Sequence, residues 1–242
     1  LLFGFIEKTN FEDDVITFSE NNKNTVFSIP NIVFFSSCDS ENKTSSISNF
    51  TIENLYSYTD IALFISSNDS IEDTMQKTLK EVSIKNIKFD KAPSVGTPKL
   101  YYKNINNFAS SSLGDENLAI ENELNFNVTG NDEADLSTPT LYNNCANPIV
   151  LSYVNEYIKN DYTITDTSNP ITYNGSLLKR CQVPIDSINC NISFDIYITN
   201  NKDEKYKCSV HLSIPYEKDG SSIYDGSITV KDTTNFSFYR YE

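Results

Sequence analysis

The 242-residue sequence has no tryptophan, one methionine, one histidine and only seven glycines. With so few glycines it contains no Gly-rich loop of the kind that cradles nucleotide phosphates, so we expect no nucleotide and no other organic cofactor. The single histidine, His211, falls on the outward side of a predicted strand, a poor place for the base of a nucleophilic site. The sequence therefore predicts that this protein is not an enzyme.

Positive charge is also scarce. Arg180 and Arg240 are the only arginines, the net charge is −14 and the isoelectric point is about 4.5. Proteins that bind nucleic acid need a clustered positive surface, and docking on anionic lipid headgroups needs one as well. The composition therefore excludes nucleic acid from the expected partners and argues against electrostatic binding to a membrane surface.

The sequence has no uninterrupted apolar run of the roughly 18 residues that suggest a transmembrane helix. Its most apolar stretch is the beginning, LLFGFIEK, where the first six residues carry no charge. A strand that is apolar on both sides suits full burial, for example in the open sheet of a neighbouring subunit. We expect residues 1–12 to act as a donor strand or as the stub of an anchor. The assembly residues are Leu1, Leu2, Phe3, Phe5 and Ile6.

The five cysteines match no zinc or haem pattern, because there is no Cys-x-x-Cys. Cys181 and Cys190 flank a short loop, which favours a disulfide, although two buried thiols would give the same spacing. Cys145 and Cys208 are a second possible pair, which would leave Cys38 free. Such bridges would indicate an oxidising compartment.

Acidic side chains offer two further kinds of site. The loop GNDEADLS supplies oxygen ligands that suit Ca²⁺, although its spacing differs from an EF-hand and a hydrated linker explains it as well. Its candidate ligands are Asn131, Asp132, Glu133 and Asp135. Two carboxylates held across a cleft would permit glycoside hydrolysis, so a secreted hydrolase remains one alternative.

Alternation of apolar and polar residues dominates the sequence and indicates strands with one buried side. The clearest case is 190–214, a predicted hairpin in which Ile198 lies opposite Tyr206 and Cys208 faces Ile196. The alternation slips at Asn86, which predicts a β-bulge. Only residues 70–80 have helical spacing, with a capping box beginning at Ser70.

These patterns predict an all-β fold, an antiparallel β-sandwich of jelly-roll or immunoglobulin-like type with one or two short helices. Residues 129–148 are polar, acidic and proline-containing, so we place a linker at 137–148. The predicted domains are then an N-terminal sandwich at 13–136 and a C-terminal sandwich with disulfides at 149–242. One large sandwich is the alternative.

The apolar start, the alternating strands and the acidic composition together resemble anchored surface proteins of low-GC Gram-positive bacteria, including fibre-forming β-sandwich proteins of the TasA/camelysin type. The resemblance extends over composition and style, so it carries no site residues. It implies an extracellular or cell-surface structural and adhesive protein that forms filaments with copies of itself. The cell envelope or a host surface is a further expected partner. The alternative is a membrane-tethered binding module.

Overall fold

A computed structural model describes residues 26–68, 70–103, 124–127, 149–214, 216, 222–226, 229–232, 236 and 238–241. These ranges are mostly extended, as β-branched and aromatic residues favour, and every ladder between the described strands is antiparallel. The predicted all-β antiparallel class is therefore confirmed. The strands are β1 (Phe27–Ser45), β2 (Phe50–Ser67), β3 (Leu79–Lys91), β4 (Thr97–Lys103), β5 (Leu124–Asn127), β6 (Ile149–Ile164), β7 (Asn191–Asn200), β8 (Lys205–Ser213), β9 (Thr229–Asp232) and β10 (Tyr239–Arg240).

The described strands form two sheets of five. Sheet A has the order β4–β6–β2–β1–β9, and sheet B has the order β10–β8–β7–β3–β5. Three short helices complete the described elements: α1 (Thr74–Lys77), α2 (Ser176–Arg180) and α3 (Ile185–Ile188), together with a 3₁₀ helix (Ile223–Asp225).

Each sheet contains strands from both halves of the sequence. Strand β2 pairs with β6 in sheet A, and β3 pairs with β7 in sheet B. The predicted separation into sandwiches at 13–136 and 149–242 is therefore corrected, because each sheet draws strands from both sides of that boundary. The predicted linker at 137–148 lies outside the described residues. The error has a simple cause: apolar alternation shows which side of a strand is buried but not which strand lies beside it.

Side chains from the two sheets share one hydrophobic core. Phe27 of β1 contacts Tyr206 of β8 edge-on, with ring centroids 5.3 Å apart. Phe89 of β3 lies against Tyr153 of β6, with centroids 6.1 Å apart. Such aromatic contacts bury large areas and add directional preference. We call the side of each sheet that contributes to this core its core-facing side.

The hairpin predicted at 190–214 is confirmed with its register. In the β7–β8 ladder Ile198 pairs with Tyr206 and Ile196 with Cys208. The predicted bulge is also confirmed, because Asn86 has a positive φ of 55° and the β3–β7 register shifts between Lys85 and Lys88. Asparagine tolerates this left-handed conformation better than most residues do.

The helix predicted at 70–80 is much shorter in the structure. Only α1 is helical, and its N-cap is Asp73, whose Oδ1 accepts a hydrogen bond from the Met75 N–H at 3.0 Å. The apolar spacing misled the prediction because Leu79, the last member of the pattern, is fully buried as the first residue of β3. Met75, in the middle of the pattern, is exposed.

Candidate functional sites

Several predicted site residues lie outside the described residues. They are the assembly residues Leu1, Leu2, Phe3, Phe5 and Ile6, the loop residues Asn131, Asp132, Glu133 and Asp135, and Cys145. The donor strand, the Ca²⁺ loop and the Cys145–Cys208 pair therefore stay predictions.

The four described cysteines, Cys38, Cys181, Cys190 and Cys208, are buried free thiols. The bridge predicted between Cys181 and Cys190 is not formed, because the two thiols have different neighbours. Burial is the main cause that raises the pKa of Cys38, and the nearby Cys181 raises it further. Cys190 lies instead beside the Tyr153 hydroxyl. Burial raises the pKa of both Cys181 and Cys190 to about 11, so neither thiol ionises readily near neutral pH.

We expect these thiols to be protected from alkylation in the folded protein, because the thiolate is the reactive form. Iodoacetamide should modify the peptides containing Cys181 and Cys190 slowly under native conditions and completely in denaturant without a reductant. Peptide mapping by mass spectrometry measures both rates. Alkylation in denaturant that requires prior reduction would instead reveal a disulfide.

Polar side chains interrupt the core-facing side of sheet A. Two cross-strand rows carry them: Ser36 pairs with Thr59 and Thr59 with Tyr153, while Cys38 pairs with Ser57 and Ser57 with Asn155. Tyr216, which follows β8, lies over these rows, close to Ser57 and Thr59. We call the oxygen-bearing residues of this group the inter-sheet polar cluster: Ser36, Ser57, Thr59, Tyr153, Asn155 and Tyr216.

Each member of the inter-sheet polar cluster has a buried side-chain oxygen that forms no hydrogen bond of standard geometry. The Tyr216 hydroxyl nevertheless lies close enough to Ser57 and Thr59, and the Tyr153 hydroxyl to Cys190, for weaker hydrogen bonds that influence the pKa of each tyrosine. Leaving a buried polar group unsatisfied costs roughly 1–3 kcal/mol. The weaker hydrogen bonds of Tyr216 and Tyr153 reduce this cost within the cluster.

The inter-sheet polar cluster is electrically neutral. Burial raises the pKa of the Tyr153 hydroxyl, and the neighbouring Cys190 adds to that rise. Burial likewise raises the pKa of Tyr216, with a further contribution from Cys38 that nearby Ser57 partly offsets. Both phenols therefore keep their protons at physiological pH, and the group offers hydroxyl donors and acceptors without a formal charge.

Charged side chains on the surface pair with one another in water. Asp203 contacts Lys80 at 2.7 Å, Asp225 contacts Lys179 at 2.9 Å, and all four are at least half exposed. Exposed pairs of this kind contribute about 0–1 kcal/mol each. They are solvated ion pairs, and their geometry does not resemble two carboxylates facing each other across a cleft.

His211 lies on the outward side of β8 as predicted, and its side chain is 76% exposed. Its Nδ1 is 3.9 Å from the nearest carboxylate oxygen, that of Asp90. A general base needs a nucleophile within hydrogen-bond reach and a pocket that excludes water. This geometry provides no such arrangement around His211.

Glu204 is a carboxylate with several hydrogen-bond and charge partners. Its Oε2 accepts hydrogen bonds from Tyr206 at 2.8 Å and Asn200 at 2.9 Å, and its Oε1 lies 3.1 Å from Arg240. Its side chain is only 12% exposed. Burial alone would raise the pKa of Glu204, but the hydrogen bonds and the Arg240 charge more than offset this and lower it.

The lowered pKa of Glu204 makes stability depend on pH. Its contribution is present above the ordinary glutamate range of about pH 4–5 and is lost as pH falls through the lower folded-state pKa. We expect Glu204→Gln to reduce the free energy of unfolding by about 1–2 kcal/mol at pH 7. Urea unfolding at pH 7 and pH 3 measures this difference, which should shrink at the lower pH. An equal loss at both values would contradict the role of the charge.

The end of the β1–β2 hairpin is its most exposed part. All side chains of residues 41–49 are exposed, and Ile47 at the turn is fully so. Along the other edge of β1, strand β9 pairs only with residues 31–34, and Ser37 forms a single bridge with Asn174. Among the described strands, none pairs with that edge of β1 between Asp39 and Ser45. A free edge presents backbone donors and acceptors that another strand can use.

The described residues offer neither a membrane-spanning helix nor a metal-binding cluster. Of the helices in the described ranges, none has the length and apolarity needed to cross a membrane. Over the same ranges no three His, Cys, Asp or Glu side chains are grouped so as to hold a metal ion. Comparisons with protein-family models, curated proteins and solved structures found no match to this chain.

Two features of the structure were missed by reasoning from the sequence. The inter-sheet polar cluster was missed because Ser57 and Thr59, which flank Tyr58, look like outward-facing residues. The sequence did contain a signal: Ser57 and Thr59 alternate in step with the apolar residues Leu55 and Ile61. All four side chains are fully buried. The edge of β1 that no described strand pairs with was missed because an edge depends on pairing between distant strands, which alternation does not encode.

Proposed function

We propose that this chain is an extracellular structural or adhesive protein that assembles with copies of itself by strand addition. In this proposal its two sheets form a β-sandwich. The apolar segment 1–12 of one copy pairs with the free edge of β1 between Asp39 and Ser45 in the next. The observation that carries the proposal is that edge, which lies beside an exposed hairpin end and has no partner strand among the described residues.

The chemistry of the edge and of the segment supports this pairing. In β-strand addition, main-chain hydrogen bonds supply most of the affinity, and alternate side chains contribute specificity. Segment 1–6 is uncharged, so it adds no repulsion to the charged edge, which carries Glu41 and Lys43. Contacts made head to tail generate fibres when the rotation between successive copies does not close a ring.

The test is deletion of residues 1–8, followed by negative-stain electron microscopy and analytical ultracentrifugation of the purified chain. We expect the full chain to form polymers and the deletion variant to remain monomeric. Replacing Leu1, Leu2, Phe3, Phe5 and Ile6 by serine should have the same effect at unchanged length. Polymers that persist in either variant would refute the role of this segment, and a full chain that is only monomeric would refute the proposal as a whole.

The edge of β1 between Asp39 and Ser45, which would receive the segment, can be tested separately with a matched control. Lysines blunt free sheet edges, because a strand that adds to the edge must bury or displace their charge. Asn42→Lys combined with Thr44→Lys should abolish polymers formed by the full chain. The control is Thr167→Lys, which adds a lysine at an exposed loop position away from the edge. If the edge variant polymerises like the control, the acceptor lies elsewhere.

A further inference from the structure

Cys38 and Cys181 are buried thiols that meet where β1 packs against α2. The Cys38 sulfur is within hydrogen-bond reach of the backbone N–H of Leu178, in the middle of α2. Cys181 is the C-cap of that helix and donates its own N–H to Leu177 O at 2.9 Å. Side chains three residues apart share one side of a helix and lean toward its N-terminus. The Cys181 side chain is therefore directed toward the turn that contains Leu178, where the Cys38 sulfur lies.

Backbone contacts hold the two residues in this arrangement. Before α2 begins, the Cys38 N–H donates to Tyr173 O at 3.4 Å. After α2 ends, Lys159 Nζ of β6 donates to Cys181 O at 2.8 Å. The helix is thus tied to sheet A on both sides, and the two thiols approach each other without help from a mobile segment.

The surroundings of the cysteines favour this pair over the other described thiols. Cys181 is close enough to Cys38 to add to the rise in its pKa, of which burial is the main cause. Cys190 lies beside the Tyr153 hydroxyl instead, and Cys208 lies near Asp195. Cys38 and Cys181 are therefore the described thiols that the fold brings together, although they are about 140 residues apart in the sequence.

The two thiols differ in how readily they ionise. Burial raises the pKa of Cys181 to about 11, and the positive charges of Lys159 and Arg180 limit that rise. Burial raises the pKa of Cys38 further. Since the thiolate is the attacking species in thiol–disulfide exchange, Cys181 is the thiol that reacts first.

We propose that Cys38 and Cys181, which are free thiols in this structure, form a disulfide bond when the chain folds in the presence of a disulfide oxidant such as oxidised glutathione. The Cys181 thiolate attacks the oxidant and releases one thiol. The Cys38 thiolate then attacks the Cys181 sulfur of the mixed disulfide and releases the second thiol. The chain loses two protons and two electrons, and the S–S bond of the oxidant is reduced to two thiols.

This bond would join β1 to the segment after β6 and close a very long loop, the case in which a cross-link constrains the unfolded chain most. Both side chains are no more than 1% exposed, so the exchange takes place while the core is open, as it is during folding. The inference goes beyond the proposed assembly and does not depend on it. Loss of polymers and loss of the bond are separate observations.

Refolding of the full chain from its reduced, denatured state in a mixture of oxidised and reduced glutathione tests the pairing. Remaining thiols are alkylated in denaturant, and the peptides are mapped by mass spectrometry without reduction. We expect a cross-linked pair of peptides that contain Cys38 and Cys181. A parallel sample refolded in reduced glutathione alone should give both as free thiols. Alkylation of Cys38 and Cys181 after oxidative refolding, or a bond from either to another cysteine, would overturn the proposal.

Thermal unfolding with a matched control measures the effect of the bond. Cys190→Ala removes a buried thiol and leaves the proposed pair intact, whereas Cys38→Ala removes one partner. Oxidative refolding should raise the unfolding midpoint of the parent chain and of Cys190→Ala by roughly 5–10 °C and leave that of Cys38→Ala unchanged. If Cys38→Ala does not fold, Cys181→Ala replaces it with the same expectation. No rise in the parent chain, or an equal rise in the variant that lacks a partner, would overturn the proposal.

Discussion

Replacing Gly175 by alanine is expected to destabilise the fold by about 3 kcal/mol, near the upper end for overpacking. Gly175 is the N-cap of α2, and a Cβ on it would lie 1.7 Å from the carbonyl oxygen of Ile223. That oxygen belongs to the backbone of the 3₁₀ helix, so no side-chain rotation can relieve the clash. The two helices must separate, which exposes Leu177, Leu178 and Ile223, all of which are fully buried.

Equilibrium unfolding in guanidinium chloride measures this loss. The matched control is Ser176→Ala, at the first position of α2, which removes only the hydrogen bond between its hydroxyl and Asn174 Oδ1. We expect the control to lose about 1 kcal/mol or less. If the midpoint of Gly175→Ala equals that of the parent chain, the close approach of the two helices would be contradicted.

Replacing Asn200 by alanine is the second change with a large expected effect, again about 3 kcal/mol. Asn200 is fully buried, and its Nδ2 donates to Gln76 O at 3.0 Å and to Glu204 Oε2 at 2.9 Å. Its Oδ1 accepts from the N–H groups of Lys202 at 3.0 Å and Glu204 at 2.9 Å. Truncation leaves several of these partners unsatisfied at roughly 1–3 kcal/mol each, with less than full additivity.

Two variants separate this network from a general effect of the turn. Asn201→Ala changes the next residue, whose N–H bonds to Thr78 O through the backbone, and should cost little. Asn200→Asp keeps the acceptor but places a second carboxylate beside Glu204, so its loss of stability should diminish as pH falls and the pair becomes protonated. Urea unfolding at several pH values measures all three variants. A pH-independent loss in Asn200→Asp would argue against direct contact with the Glu204 carboxylate.

Local patterns in the sequence predicted the local structure well. The β7–β8 register followed from strict alternation on both sides of a short turn, and the bulge at Asn86 followed from a single slip in that alternation. Both features depend on residues close together in the sequence. Because side chains alternate with a period of two, such patterns determine which side of a strand is buried.

Features that depend on distant residues were not predictable in the same way. The pairing of β2 with β6 removes the predicted boundary at 137–148, yet neither strand contains a residue that identifies its partner. The thiol pairing failed for a related reason, because spacing brings Cys181 and Cys190 near in sequence while the fold gives them different neighbours. Similarly, Ser57 looks like a surface residue until β6 brings Asn155 beside it.

The interleaved order of the strands has a consequence for synthesis in the cell. The β2–β6 and β3–β7 ladders join residues about a hundred positions apart, a separation typical of slowly folding topologies. At a translation rate of about 5–20 residues per second, the first hairpin would leave the ribosome roughly 5–20 seconds before its later partner strand. During that interval the apolar side of the hairpin is exposed to solvent. A nascent chain with this topology should therefore depend on chaperones that bind it until the remaining strands are synthesised.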